Sequence, residues 1–271
     1  MCRLIGYVSP VATTLAELVG RDRCAEFQGL SRLHTDGWGA SWLAPNGTLE
    51  THTTAEPGTD DALLSTSLGH RSSRAQLVHL RLATPGLPVR AENSHPFVAD
   101  NISFAHNGSI TPTGRLREGL SADALAGVTG DTDSELYLAA IRDGVRHGLS
   151  LTDAVYNTVA WLRELDPLAS LNALVMSDTE FVAVHASAGS ATPTREFAAL
   201  GWDANLPAGH GDDYYRLSYC RDSTGAVVFS STGIDQDGWT PLDDESITTV
   251  DLRSFAVSTV LLSDADQQQV A

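Results

Sequence analysis

Residues 132–165 read TDSELYLAAIRDGVRHGLSLTDAVYNTVAWLREL, and the fold class turns on them. Thr132-Asp133-Ser134-Glu135 has the S/T-x-x-E pattern of a capping box, which predicts a helix opening at Thr132 and running to about His147. A second helix is predicted over Leu151–Leu165. Strand-like segments flank this pair on both sides. Before it lie Cys2–Val8, Gly39–Leu43, Gln76–Ala83 and Asn101–His106, with a short helix over Ala12–Gly20. After it come Leu171–Met176, Phe181–His185, Tyr214–Cys220, Ala226–Ser231, Ile247–Leu252 and Phe255–Leu262, the first two joined by a hairpin turn at Ser177-Asp178-Thr179-Glu180. Strands, then two long helices, then strands again imply layered sheets covered by helices, in one α+β domain over residues 1–271.

Composition narrows the class. The chain has 271 residues, 42% of them hydrophobic, with 23 glycines and 11 prolines, so disorder and collagen-like repeats are excluded. No stretch reaches the roughly 20 apolar residues of a membrane helix. The opening Met1-Cys2-Arg3-Leu4-Ile5-Gly6 lacks a secretory apolar core, so a cytoplasmic location is expected. The net charge is −17, which disfavours nucleic-acid partners because like charges repel. Cys2, Cys24 and Cys220 form neither a disulfide framework nor a CxxC metal motif.

Four features could carry chemistry. Removal of Met1, which is usual before a small residue, would leave Cys2 with a thiol and a free α-amine. Their ordinary pKa values, about 8.5 and 7.7–8.0, allow proton exchange near neutrality, so the amine can serve as base for its own thiol. The alternative is a small buried hydrophobe. Arg81, in the apolar run QLVHLRLA, needs an anion: either an internal carboxylate or that of a substrate. Asn107-Gly108 offers two neutral donors suited to an oxyanion, and is equally a hairpin-turn signal. Asp133 is either a plain helix-cap anion or the partner of a substrate ammonium.

Taken together, these features resemble the glutaminase domain of class II glutamine amidotransferases, within the N-terminal-nucleophile hydrolases. The matching motifs run in order: Met-Cys at the start, Asp36-Gly37-Trp38-Gly39, HxRxAT at 79–84, Asn93-Ser94-His95-Pro96-Phe97, HNG at 106–108 and TDSE at 132–135. The resemblance implies a four-layer αββα sandwich of antiparallel sheets. It implies Cys2 as nucleophile, with Asn107 and Gly108 as the oxyanion hole. Arg81 and Thr84 would hold the glutamyl α-carboxylate, and Asp133 its α-ammonium. Trp38 and His95 complete the implied substrate-binding set.

The DGWG and NSHPF variants are similar to a stand-alone branch that includes the γ-glutamyl hydrolases of ergothioneine biosynthesis. Leu82 and Pro85 stand where synthase-linked members favour an aromatic residue and a histidine. Leu33-His34-Thr35-Asp36 replaces their arginine-containing segment. The chain leaves no room for a synthase domain, so simple hydrolysis is expected, with no metal or cofactor. The implied substrate is γ-glutamyl-hercynylcysteine S-oxide; a glutaminase subunit feeding ammonia to a separate synthase is the alternative. The trimethylammonium of hercynine would favour aromatic faces and carboxylates, making Trp38 and Asp212-Asp213-Tyr214-Tyr215 candidate contacts. His34, His79, His95 and His106 match no zinc spacing and are read as hydrogen-bonding supports. No partner besides the small γ-glutamyl substrate is implied, and the oligomeric state is not legible.

Overall fold

The first strand, β1 (Arg3–Thr13), already carries the layering. Its side chains alternate: Leu4 and Val8 enter one apolar cluster, Ile5 and Tyr7 another on the opposite face. The computed structural model describes residues 2–264 apart from 85, 188, 200, 203–205 and 212. After β1 come α1 (Leu15–Val19), α2 (Arg21–Gly29), β2 (Trp38–Leu43), β3 (Leu49–Thr54), α3 (Ala62–Gly69), β4 (Ser73–Leu80), β5 (Phe97–Ala99) and β6 (Ile102–Asn107). The helical middle holds α4 (Thr113–Glu118), α5 (Ala122–Leu125), α6 (Asp133–Arg146) and α7 (Leu151–Leu165). Then follow β7 (Asn172–Met176), β8 (Glu180–His185), α8 (Thr194–Ala199), β9 (Leu217–Arg221), β10 (Val227–Ser231), β11 (Thr240–Pro241), β12 (Ser246–Asp251) and β13 (Val257–Leu261).

Two antiparallel sheets result, ordered β11-β9-β10-β1-β4-β2-β3 and β13-β12-β8-β7-β6-β5. Leu4, Val8 and Leu77 of the first sheet meet Ala105, Leu174 and Phe181 of the second in a shared core. The outer face of the second sheet packs on α6 and α7, where Leu151, Val155, Val159 and Leu162 repeat at helical spacing. The outer face of the first packs on α1, α2 and α3 through Phe27, Leu64 and Leu68. The layers are therefore α, β, β, α, as the resemblance implies.

Two local expectations are corrected. The capping box at 132–135 is half formed: Thr132 accepts from the Glu135 N–H, but the Glu135 carboxylate binds the N–H groups of Thr129 and Gly130. The strand expected from Tyr214 starts only at Leu217, because Tyr214 and Tyr215 turn into a separate cluster with Leu33, Leu82 and Phe197.

Candidate active site

Strand parity brings Cys2 and Asn107 to one place. Cys2 has the parity of Leu4 and Val8, and Asn107 that of Ala105, so both face the space between the sheets. There the Cys2 backbone N–H donates to Asn107 Oδ1 at 2.8 Å. Cys2 Sγ lies 3.9 Å from the Leu82 carbonyl. Arg3 fixes this end of the chain. It is fully buried, and its guanidinium donates to the carbonyls of Cys2, Thr232 and Tyr214 while lying 3.7 Å over the Tyr214 ring.

Asn107 has a second function in its geometry. With Oδ1 held by Cys2, its Nδ2 is buried without a hydrogen-bond partner among the described residues. Burial of an amide without a partner costs free energy, so such a group inside a cleft is a donor awaiting an acceptor. Gly108 follows. A Cβ on it would stand 1.8 Å from the Ser170 carbonyl oxygen, so only glycine allows this close approach. The hairpin alternative is not what forms here: Gly108 is not in the left-handed region, and the chain after it runs into α4, while β6 pairs with β5 and with β7, more than sixty residues on.

His106 props this corner. The Ser170 carbonyl can only accept, so His106 donates to it through Nε2–H (2.8 Å) and takes the Ser134 hydroxyl at Nδ1 (2.9 Å). Burial pushes its pKa down, with the Asp133 charge opposing. Asp133 opens α6; its Oδ2 accepts the Ile110 N–H at 2.6 Å, and Oδ1 makes no hydrogen bond among the described residues.

Arg81 leaves the sheet just past β4. It is 3% exposed, yet its guanidinium meets only the carbonyls of Asp36 (3.4 Å) and Pro88 (3.3 Å), and no ion pair forms among the described residues. Burial lowers its pKa, opposed by the more distant charges of Cys2 and Asp36. The Asp36 carboxylate instead holds the Ala83 N–H at 2.7 Å, which fixes the turn leading to half-buried Thr84. Of the two readings of Arg81, the internal salt bridge is not made among the described residues.

His95 is a support. Its Nδ1 receives His79 Nε2 at 3.0 Å and the His106 N–H at 3.4 Å, and burial holds both rings well below the usual histidine range. Trp38 is a correction: it is fully buried in the outer core of the first sheet, its indole N–H donating to Asp61, so it presents no face to a ligand. Tyr214 is likewise fully buried, under Arg3, whereas Tyr215 keeps a small exposed edge and feels the charge of Cys2. Asp212 lies outside the described residues. Sequence reasoning missed Arg3, Ser170 and Asn172; only Arg3 gave a signal, as a charge placed directly after Cys2 in an apolar run.

Comparison with known proteins decides the family. The model of class II glutamine amidotransferases matches residues 1–197. The chain belongs to the class II glutamine amidotransferases. Within that family it is 27% identical over 225 residues to the gamma-glutamyl-hercynylcysteine sulfoxide hydrolase of Mycolicibacterium smegmatis, covering 83% of this chain and 81% of the relative. It is 29% identical over 170 residues to the isomerizing glutamine–fructose-6-phosphate aminotransferase of Mycolicibacterium paratuberculosis, but spans only 26% of that longer protein. The structure of a glutamine aminotransferase class-II domain protein from Silicibacter pomeroyi superposes with a TM-score of 0.63 at 16% identity, covering 96% of this chain and 98% of that one. The Bacillus subtilis glutamine PRPP amidotransferase gives 0.62 at 17%, over 96% of this chain and 49% of its own. The fold is that of the N-terminal-nucleophile amidotransferases. Among the described residues no helix is long and apolar enough to cross a membrane.

Proposed function

We propose that this chain hydrolyses γ-glutamyl amides through a γ-glutamyl thioester on Cys2, with γ-glutamyl-hercynylcysteine S-oxide as substrate and hercynylcysteine S-oxide plus glutamate as products, a step of ergothioneine biosynthesis. One observation carries the chemistry: the Cys2 nitrogen is hydrogen-bonded to Asn107 Oδ1 while Asn107 Nδ2 stands buried and unpartnered beside it. The substrate rests on the Mycolicibacterium smegmatis hydrolase, whose match extends over four-fifths of both chains.

In this reading the α-amine of Cys2, freed by removal of Met1, takes the thiol proton as sulfur attacks the γ-carbonyl. The oxyanion that develops is met by Asn107 Nδ2 and the Gly108 N–H, donors that need no rearrangement. Collapse expels the amine, which takes back the proton, and leaves the thioester. Water, deprotonated by the same amine, then releases glutamate. Arg81 holds the α-carboxylate with Thr84 beside it, and Asp133 Oδ1 holds the α-ammonium; gripping both ends orients the carbonyl toward the sulfur.

Intact-mass measurement with and without a γ-glutamyl conjugate tests this. The expected result is a protein lacking Met1, a γ-glutamyl adduct that disappears in Cys2→Ala, and release of glutamate only by wild type. Turnover surviving in Cys2→Ala would remove the mechanism. A strong preference for glutamine over conjugates would move the assignment to an ammonia-supplying glutaminase.

A further inference from the structure

We infer that Arg3 is a positioning residue of the reaction: its buried, unneutralised charge keeps the α-amine of Cys2 in the free-base form near neutral pH; this rests on the γ-glutamyl hydrolase reading above. Arg3 has the parity of Ile5 and Tyr7, so its side chain leaves β1 on the face opposite Cys2 and stands clear of the substrate. It folds back on its neighbour instead. Nε donates to the Cys2 carbonyl at 2.6 Å and Nη2 to the Tyr214 carbonyl at 3.0 Å. Nη1 donates to the carbonyl and the hydroxyl of Thr232 at 3.1 and 2.8 Å.

These partners satisfy the hydrogens of the guanidinium and leave its charge. All of them are neutral, and the fully buried Arg3 makes no ion pair among the described residues. Burying a cation without a counter-ion is costly, and a merely structural clamp does not need one. The charge reaches the groups packed around it. Burial first and Arg3 next hold His34 and His210 as neutral rings, and Arg3 opposes the upward push of burial on Tyr214 and Tyr215. The bond to the Cys2 carbonyl sets the cation roughly 5–6 Å from the nitrogen of that same residue.

The sign follows from the groups around Cys2. Arg3 and Arg81 are cations and favour loss of the ammonium proton, whereas Asp133 at the head of α6 and the Asn107 Oδ1 acceptor favour its retention. Buried His79 and His106 have their pKa values pushed down and add no charge near neutrality. The Asp36 carboxylate is occupied by the Ala83 N–H; on the Tyr215 side, Asp213 is paired with Arg216 at 2.6 Å and Glu196 of α8 acts on the Tyr215 phenol. Substrate binding pairs Arg81 with a carboxylate and Asp133 with an ammonium, which cancels both. Arg3 remains. It is therefore the charge that sets the base in the enzyme–substrate complex, the state whose pH dependence kcat reports. Two charges about 6 Å apart, between the limit of water and the effective dielectric of a protein surface, shift an apparent pKa by about 0.5–2 units.

The pH dependence of kcat on saturating γ-glutamyl-p-nitroanilide is measured for wild type, Arg3→Met and Arg3→Lys, together with the Tm of each. The expected wild-type acid limb lies below the ordinary amine value of about 7.7–8.0. It moves up by about one unit in Arg3→Met and stays near the wild-type position in Arg3→Lys, which keeps the charge. Tm falls in both variants, because both lose bonds of the planar fork. A structural clamp alone lowers Tm without moving the limb, or moves it equally in both variants; either outcome overturns the inference and leaves γ-glutamyl hydrolysis standing. Should neither variant fold, the wild-type limb decides: below the ordinary amine value it upholds the assignment, and at or above that value it overturns it. Absence of any Cys2-dependent hydrolysis overturns the functional reading itself, and this inference with it.

Discussion

Gly108 is the residue where backbone space and chemistry coincide. Its neighbour Ser170 presents a carbonyl so close that the Cβ of alanine would fall 1.8 Å from the oxygen. Gly108→Ala must therefore displace the strand end and the N–H assigned to the oxyanion. Losing one such donor costs about 10²–10³ in kcat, so the expected outcome is a drop of that order with KM nearly unchanged, read by steady-state kinetics beside a folded circular-dichroism spectrum. Wild-type kcat in Gly108→Ala would place the oxyanion elsewhere. Arg3 gives a second case: Arg3→Met leaves the carbonyls of Cys2 and Thr232 without the guanidinium that they accept from, and leaves the Tyr214 carbonyl with only the Thr232 hydroxyl. At about 1–3 kcal/mol for each buried unsatisfied group, a fall of several degrees in Tm is expected, and an unchanged Tm would show those carbonyls finding other donors. Cys2, Arg81, Asn107 and Asp133 could be picked out of the sequence as candidates because their motifs are local. Trp38 was misread because composition does not say which side of a strand an indole faces; its contact with Asp61 joins positions 23 apart. Ser170 and Asn172 were invisible for the same reason, acting on Asn107 and Tyr215 across long separations.

Helix α6 places Asp133, so its N-terminus is where local stability and ligand binding meet. Thr132→Ala removes the cap that holds the Glu135 N–H. Such a loss costs about 1 kcal/mol and loosens the first turn that carries Asp133. The expected outcome is a small Tm decrease with a larger rise in KM for γ-glutamyl substrates than change in kcat. Thr132→Ser, which keeps the oxygen, should restore both. A KM unchanged in Thr132→Ala would detach Asp133 from ground-state binding. The two long helices could be read from sequence because each repeats apolar residues over three or more turns; the expected Leu151–Leu165 and the observed α7 coincide. Helix α2 could not, since RDRCAEFQG buries only Cys24 and Phe27. The half-formed capping box has a tertiary cause: Glu135 closes the loop at Thr129 and Gly130, which Asn93 also grips through the Asp131 N–H.

Over the whole molecule, the buried histidines set the response to acid. His34, His79 and His95 are held well below the usual histidine range, by burial first and then by the nearby charges of Arg3 for His34, Arg81 for His79 and the neighbouring His79 for His95. His210 is pushed down to about 3 by burial and Arg3. In the unfolded chain each titrates near 6.5. Between that value and its folded pKa, the unfolded state binds the proton and the folded state does not. Stability contributed this way is complete above about pH 6.5 and is lost as pH falls, by about 1.4 kcal/mol per unit for each ring. Four rings give a loss of about 4 kcal/mol between pH 6.5 and 5.5, because the full slope is reached only below the unfolded pKa, comparable with the whole stability of a marginal domain. The 34 carboxylates titrate mainly below this window, and relief of their repulsion in a chain of net charge −17 acts in the opposite direction. Thermal melts at pH 7.5, 6.5 and 5.5 should therefore show little change across the first interval and a steep fall in Tm across the second, with net proton uptake on unfolding at pH 5.5. A Tm that holds level down to pH 5.5 would mean that these rings accept protons in place, and the neutral His79–His95–His106 scaffold behind the oxyanion corner would have to be redrawn with charged members.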